Sequence, residues 1–163
     1  MKIFVTKEYL QLCTKKIAEI KQELEKIRHD KNTAFEGDTN TWHDNFAYEN
    51  ATREEKMLED RLFKAIQDMN NYTVFSSIVP DNPQTVGIYC WVRIKEENIS
   101  NAQSQEKTIG LVPLGGQDLK NKIYSYNAPI VYPLMGAKIG EERIIKIPMG
   151  TFKTKILDIQ KMC

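Results

Sequence analysis

Two aspartates, Asp38 and Asp44, stand six residues apart in the segment Glu36-Gly37-Asp38-Thr39-Asn40-Thr41-Trp42-His43-Asp44-Asn45. Carboxylates this near one another suit a hard divalent cation. Mg²⁺ takes oxygen ligands in near-octahedral geometry, and it commonly keeps several waters beside one or two protein carboxylates. Two acids alone hold such an ion weakly, and they become useful when another macromolecule supplies the remaining ligands. The same acids also have an ordinary reading, as helix caps or solvated turn residues. Trp42 and His43 share the segment. A tryptophan there either packs back on its own chain or meets a partner. A histidine near carboxylates shuttles protons, binds metal, or is simply a surface residue.

The elements that would present these acids are legible on both sides. Leu10, Cys13, Ile17, Ile20, Leu24 and Ile27 follow a 3-4-3-4 spacing, as do Tyr48, Ala51, Glu55, Leu58, Leu62, Ala65 and Met69. That spacing keeps one narrow stripe on one side of a helix. Gly37 is the only glycine before Gly87, and no proline precedes Pro80. The reading is a long antiparallel helical hairpin with its tip at residues 36–45. Thr6 caps the first helix, which runs to about Thr33. Gly37 makes the turn, and the second helix starts near Asp44 or Asn45 and ends near Met69. Glu55 interrupts the second stripe. Cys13 and Tyr48 lie in the stripes and read as core.

The texture changes after Asn71. Short β-rich runs follow, with strands expected over Tyr72–Val79, Thr85–Ile94, Lys107–Leu114, Arg143–Met149 and Thr151–Gln160. Glu96–Glu106 reads as a hairpin loop. Asn127-Ala128-Pro129 reads as the start of a short helix, with Asn127 as cap. The fold class is therefore α+β, with the hairpin over 1–71 and a small antiparallel sheet with one short helix over 72–163.

Composition narrows the function classes. Residues 1–69 carry 12 Lys/Arg against 14 Asp/Glu, and residues 70–163 carry 11 against 8. Neither part has the strong positive charge of an autonomous nucleic-acid binder. Three scattered cysteines form no CxxC pair or Cys/His cluster, which argues against zinc and against a disulfide framework. The expected setting is a reducing cytoplasm. The opening Met1-Lys2-Ile3-Phe4-Val5-Thr6-Lys7-Glu8 does not read as a signal peptide, and no apolar run reaches membrane-spanning length.

The chain resembles the GreA/GreB family of transcript cleavage factors. Thr6-Lys7-Glu8-Tyr9-Leu10 looks like the family's Thr-x-x-Gly-Tyr-x-x-Leu opening, one residue shorter between Thr and Tyr. Ala34-Phe35-Glu36-Gly37-Asp38 and Asp44-Asn45-Phe46-Ala47-Tyr48 look like the halves of the tip motif Gly-Asp-Leu-Ser-Glu-Asn-Ala-Glu-Tyr. Asn127-Ala128-Pro129-Ile130 through Leu134-Met135-Gly136-Ala137-Lys138-Ile139-Gly140-Glu141 looks like the motif Ser-Pro-(Ile/Leu)…Leu-(Ile/Leu)-Gly-Lys-x-x-Gly-Asp.

The resemblance implies a coiled coil that enters the secondary channel of bacterial RNA polymerase. Asp38 and Asp44 would help hold a catalytic Mg²⁺ shared with the polymerase, which then cleaves the 3′ end of backtracked RNA. The factor itself would not be an enzyme, would bind no metal stably alone, and is expected to be a monomer. Asn45 and Tyr48, with Trp42 and His43, would shape the tip. Arg28, Lys31 and Arg53 correspond to a basic patch that touches the RNA, although charges on a coiled coil are commonly just solvated. The second domain would be FKBP-like and dock on the polymerase, with Asn127, Pro129, Gly136 and Lys138 as docking residues. The family's two tip acids are three residues apart. Here either the loop has three extra residues, or Thr41 takes the first acidic position. Two alternatives follow: a Gre-like paralogue that inhibits polymerase through the same channel, and a prolyl isomerase or chaperone module using Trp91, Tyr89, Tyr124 and Tyr132.

Overall fold

The computed structural model describes residues 2–37 and 46–162, with side chains left out of account at 34–37 and Ala47. The elements run β1 (Ile3–Val5), α1 (Lys7–Gly37), α2 (Phe46–Asn70), β2 (Tyr72–Val74), β3 (Cys90–Asn98), β4 (Ser104–Val112), β5 (Ile123–Ser125), a 3₁₀ turn (Tyr132–Leu134), β6 (Glu142–Ile147) and β7 (Gly150–Lys161). They form two compact units. One comprises Leu10–Tyr72, and the other comprises Ile3–Tyr9 with Thr73–Cys163.

Thr6 starts α1 as a cap, its Oγ1 accepting the Tyr9 backbone N–H at 3.1 Å. With breakers absent, α1 runs through Gly37, four residues past the expected end, so Gly37 closes the helix instead of making the turn. In the hairpin unit the burial follows the stripes. Ile17, Leu24 and Leu58 are buried, and the other stripe residues are half-buried between exposed neighbours. Thr14 meets Met69, whereas Arg28 meets Glu55 and Glu59, so the helices run antiparallel.

The tip-ward end of this seam is ionic. Lys31 stands four residues beyond Ile27 and continues the first stripe, and its Nζ lies 2.7 Å from Glu55. Arg28 Nε donates to Glu55 at 2.9 Å and a terminal nitrogen donates to Glu59 at 2.8 Å. The Glu55 side chain is only 16% exposed. Its hydrogen bonds from Lys31 and then Arg28 hold the carboxyl below the usual glutamate range. The same contact with Glu55 raises Lys31. It is also the largest influence raising Arg28.

In the second unit the sheet order is β5-β4-β3-β7-β6. β3 is central, pairing antiparallel with β4 and β7, with a bulge between Arg93 and Ile94 on the β7 side. Along β3, Cys90, Val92 and Ile94 are buried while Arg93 and Lys95 are exposed, the period-two pattern of a sheet with one covered face. Ile109 and Leu111 of β4, Ile145 of β6, and Ile156 and Ile159 of β7 share that core with Val86, Val131, Leu134 and Ala137. β1 is tied to the unit by Thr6 N–H to Leu114 O and Leu114 N–H to Phe4 O, both 3.0 Å. Gly115 beside it has φ +97°, and a Cβ there would collide with the Tyr9 side chain.

Several boundaries differ from the sequence reading. β5 pairs parallel with β4, so the sheet is not wholly antiparallel. Glu96–Glu106 is mostly strand, because β3 and β4 extend the ladder out to Glu97 opposite Ser104. Only Tyr72–Val74 of the expected first strand pairs, and the next begins at Cys90 instead of Thr85. No α-helix starts at Asn127. Its side-chain oxygen accepts from Ser125 Oγ instead of capping, and only the three-residue turn Tyr132–Leu134 forms. Pro133 and the left-handed Gly136 leave no room for a longer helix.

Two outcomes are expected. Gly115→Ala imposes backbone strain and overpacking together, and should destabilise the protein by about 2 kcal/mol or more, read as a lower thermal midpoint. Glu55, whose folded pKa is lowered, stabilises the fold above the ordinary glutamate range, and that contribution is lost as pH falls through the folded value. The midpoint difference between wild type and Glu55→Gln, followed by helical circular dichroism, should be largest near pH 7 and shrink steadily below the ordinary glutamate range.

Candidate functional site

The acidic centre of the sequence reading, Asp38 and Asp44 with Trp42, His43 and Asn45, lies outside the described residues. The described chain brackets it closely, since α1 ends at Gly37 and α2 begins at Phe46. Among the described residues no group of three or more His, Cys, Asp or Glu side chains is placed to hold a metal.

The cations near the tip are placed clearly. Each guanidinium nitrogen of Arg28 faces a different carboxylate: Glu55, Glu25 at 3.2 Å, and Glu59. Lys31 pairs with Glu55, and its ammonium also lies 5.4 Å from the Tyr48 ring centroid. Arg28 and Lys31 are thus opposed by three carboxylates of their own hairpin, and their charge is internally balanced. Arg53 differs, with a 74% exposed side chain that stands 3.9 Å from a Glu49 that is itself 62% exposed. Tyr48 is half-buried, which matches its place in the stripe. Glu55 is the consequential residue of this end. The sequence signalled it as an acid in an apolar register, and the partner signal was Lys31 falling on the matching 3-4 position.

In the second unit, the segment 127–140 is pinned from beneath. Val86 N–H donates to Ala137 O and Gly136 N–H donates to Val86 O, both at 2.8 Å. Lys138 N–H donates to Glu141 at 2.9 Å, and Gly136 turns with φ +76°. Pro129, Gly136 and Lys138 are exposed, with Tyr132 and Ile139 as large apolar side chains on the same segment, while Asn127 is half-buried. An apolar cavity of about 350 Å³ lies in this unit, lined by Phe4, Phe75, Ile78, Val79, Ile88 and Met135 among others, with Cys90 in its wall. Burial pushes the Cys90 thiol up, away from nucleophilic reactivity. The aromatics expected of an isomerase pocket, Trp91, Tyr89, Tyr124 and Tyr132, do not line it. Trp91 instead borders a polar hollow with Arg93, Thr108, Asp158 and Gln160.

Comparison with known proteins follows the same division of the chain. Residues 80–161 match the family model described as transcription elongation factor, GreA/GreB, C-term. The transcription elongation factor GreA of Thermosipho africanus is 30% identical over 161 residues, covering 97% of this chain and 96% of that protein. GreA of Amoebophilus asiaticus is 32% identical over 118 residues, 71% of each chain. A crystal structure of GreA factor homolog 1 from Thermus thermophilus superposes with a TM-score of 0.43 at 14% identity, covering 98% of this chain and 99% of that one. A family model spanning half the sequence and relatives spanning nearly all of it agree, and this chain belongs to the GreA/GreB family of transcription elongation factors.

Proposed function

We propose that this protein is an accessory factor of RNA polymerase in the cytoplasm, inserting its hairpin through the secondary channel and stimulating hydrolysis of backtracked RNA. The observation that carries the reading is the position of Asp38 and Asp44. They fall in the eight residues joining a 31-residue helix to a 25-residue helix. At about 1.5 Å per residue these arms are roughly 45 and 40 Å long, a reach suited to a deep channel.

The chemistry assigned to the chain is modest. Asp38 and Asp44 would hold, through their carboxylate oxygens, a Mg²⁺ shared with the polymerase. When bound, that ion lowers the pKa of attacking water and offsets charge developing on the phosphate. Two carboxylates are too few to hold the ion in the free protein, which fits action in trans. The exposed residues of 127–140, with Pro129, Tyr132, Gly136 and Lys138, supply the docking contact. Arg53, the most open of the three tip-ward cations, is the one best placed to meet RNA phosphate.

The six-residue spacing of the acids favours a second reading, occupancy of the channel without cleavage. One assay separates the two. A stalled, backtracked elongation complex is incubated with Mg²⁺, with and without the protein. Stimulation predicts faster RNA shortening, and Asp44→Ala reduces it by roughly 10²-fold while the variant still competes with wild type for the polymerase. Slower elongation with no shortening assigns the inhibitory role instead. In the same assay Lys138→Glu should raise the concentration for half-maximal effect by about tenfold and leave the saturating rate unchanged, since it alters docking and not the tip.

A further inference from the structure

The ionic cluster Glu55–Lys31–Arg28 stands where a two-helix seam most needs a specifier. The apolar part of the seam is nearly degenerate. Ile17, Ile20, Leu24 and Ile27 on α1 face Leu58, Leu62, Ala65 and Met69 on α2, and sliding one arm along the other by a turn or a heptad still sets aliphatic against aliphatic. The length of the connection does not remove this freedom. Eight residues separate Gly37 from Phe46, more than the roughly two to five of a tight helical hairpin. The half-buried Glu55–Lys31 pair removes it. A slip of one turn that set the 16%-exposed Glu55 carboxylate against Ile27 would set Lys31 against Ala51. A buried charge without its partner is far more costly than a shifted methyl contact. One polar pair in an otherwise apolar stripe is a well-attested way to fix coiled-coil register.

We infer that Glu55 and Lys31, with Arg28 locking Glu55 to Glu59, are positioning residues that fix the axial register of the two arms and so set how the ends carrying Asp38 and Asp44 face one another. The link to the acids rests on the function proposed above, whereas the register itself does not. Arg28 is specified for this role by geometry. Its fork reaches Glu55 with one nitrogen and Glu59, one turn on, with another, which fastens α1 to two successive turns of α2.

The test uses the full-length protein with Cys13, Cys90 and Cys163 replaced by alanine and nitroxide labels at exposed Lys16 and Lys56. These sites are offset along the hairpin, so an axial slip of one turn, roughly 5 Å, changes the distance between labels. Pulsed electron resonance should give one narrow distance distribution. Glu55→Lys or Lys31→Glu alone should broaden or shift it by several ångströms, and the combined Glu55→Lys, Lys31→Glu exchange should restore it. Glu55→Gln, which keeps the shape of the side chain, gives a folded control with intermediate broadening. In the backtracked-complex assay each single reversal should cut the saturating cleavage rate by at least tenfold with unchanged half-maximal concentration, and the exchange should recover it. Single reversals that leave the distance unaltered overturn the inference, and so does an exchange that fails to restore it. A wild type that stimulates no cleavage sinks the functional reading alone, because the distance measurements still decide the register.

Discussion

A pair of helices has one side each to hide, and the hairpin depends on that constraint. Among the described residues only Ile17, Leu24 and Leu58 are buried hydrophobics there, at about 1.5–3 kcal/mol for each large aliphatic side chain. Among the described residues no third layer shares the load within this unit. A seam so narrow cannot tolerate much polarity, yet it accepts Glu55. The acid survives because Lys31 and Arg28 reach it from the opposite helix. An unpartnered carboxylate at that depth would be protonated or driven to solvent, either of which opens the seam.

The sheet unit solves the opposite problem, having a face to cover and little chain to cover it with. β3 is central and antiparallel to both neighbours, and its inward residues meet a layer built from the turns at Val86, Val131, Leu134 and Ala137 instead of from a full helix. The main-chain bonds between Val86 and the Gly136-Ala137 turn do what a helix would otherwise do, fixing the segment over the core. That economy leaves Tyr132 and Ile139 more than half exposed, apolar surface consistent with a docking role.

The two units were legible to different degrees, for physical reasons. The stripes of the hairpin repeat over six or seven positions on each helix, and a long period accumulates enough signal to place both helices. What escaped there was local: the end of α1 at Gly37, since one glycine at a helix terminus reads equally as turn or as last residue. In the second unit β-rich composition marked a strand over Thr85–Ile94 that overlaps only the first half of β3, and one over Thr151–Gln160 that nearly coincides with β7. The short parallel strand β5 carries three residues and no alternation worth counting. Asn127-Ala128-Pro129 has a helix-start composition, yet Ser125 takes the asparagine oxygen first, a tertiary choice that local propensity does not contain. The family likeness singled out Asp38 and Asp44 as candidate acids where pattern alone left them as ordinary turn residues, and both lie outside the described residues. Whether the pocket near Phe4 and Phe75 holds the aromatics of an isomerase was not readable from sequence, because strand ends far apart in the chain compose it.

The sparse chemistry of the tip and the saturated chemistry beneath it belong together. A site that held its metal without a partner would need more ligands organised by the protein than two carboxylates, and it would compete for any cation the factor met. In the proposed function two aspartates avoid that, but their usefulness then depends wholly on being presented at the right separation and angle. Binding energy elsewhere cannot supply this, since a misplacement of about 1 Å at a reacting centre costs roughly 10²-fold in rate. The rigidity must come from the arms just behind the acids. There the hairpin has spent its cations on its own carboxylates, Arg28 on three and Lys31 on one, instead of leaving them free for phosphate. On this view, Arg28 and Lys31 serve RNA chemistry through geometry, by holding the acids' supports in one alignment, and the charge left for direct contact is Arg53.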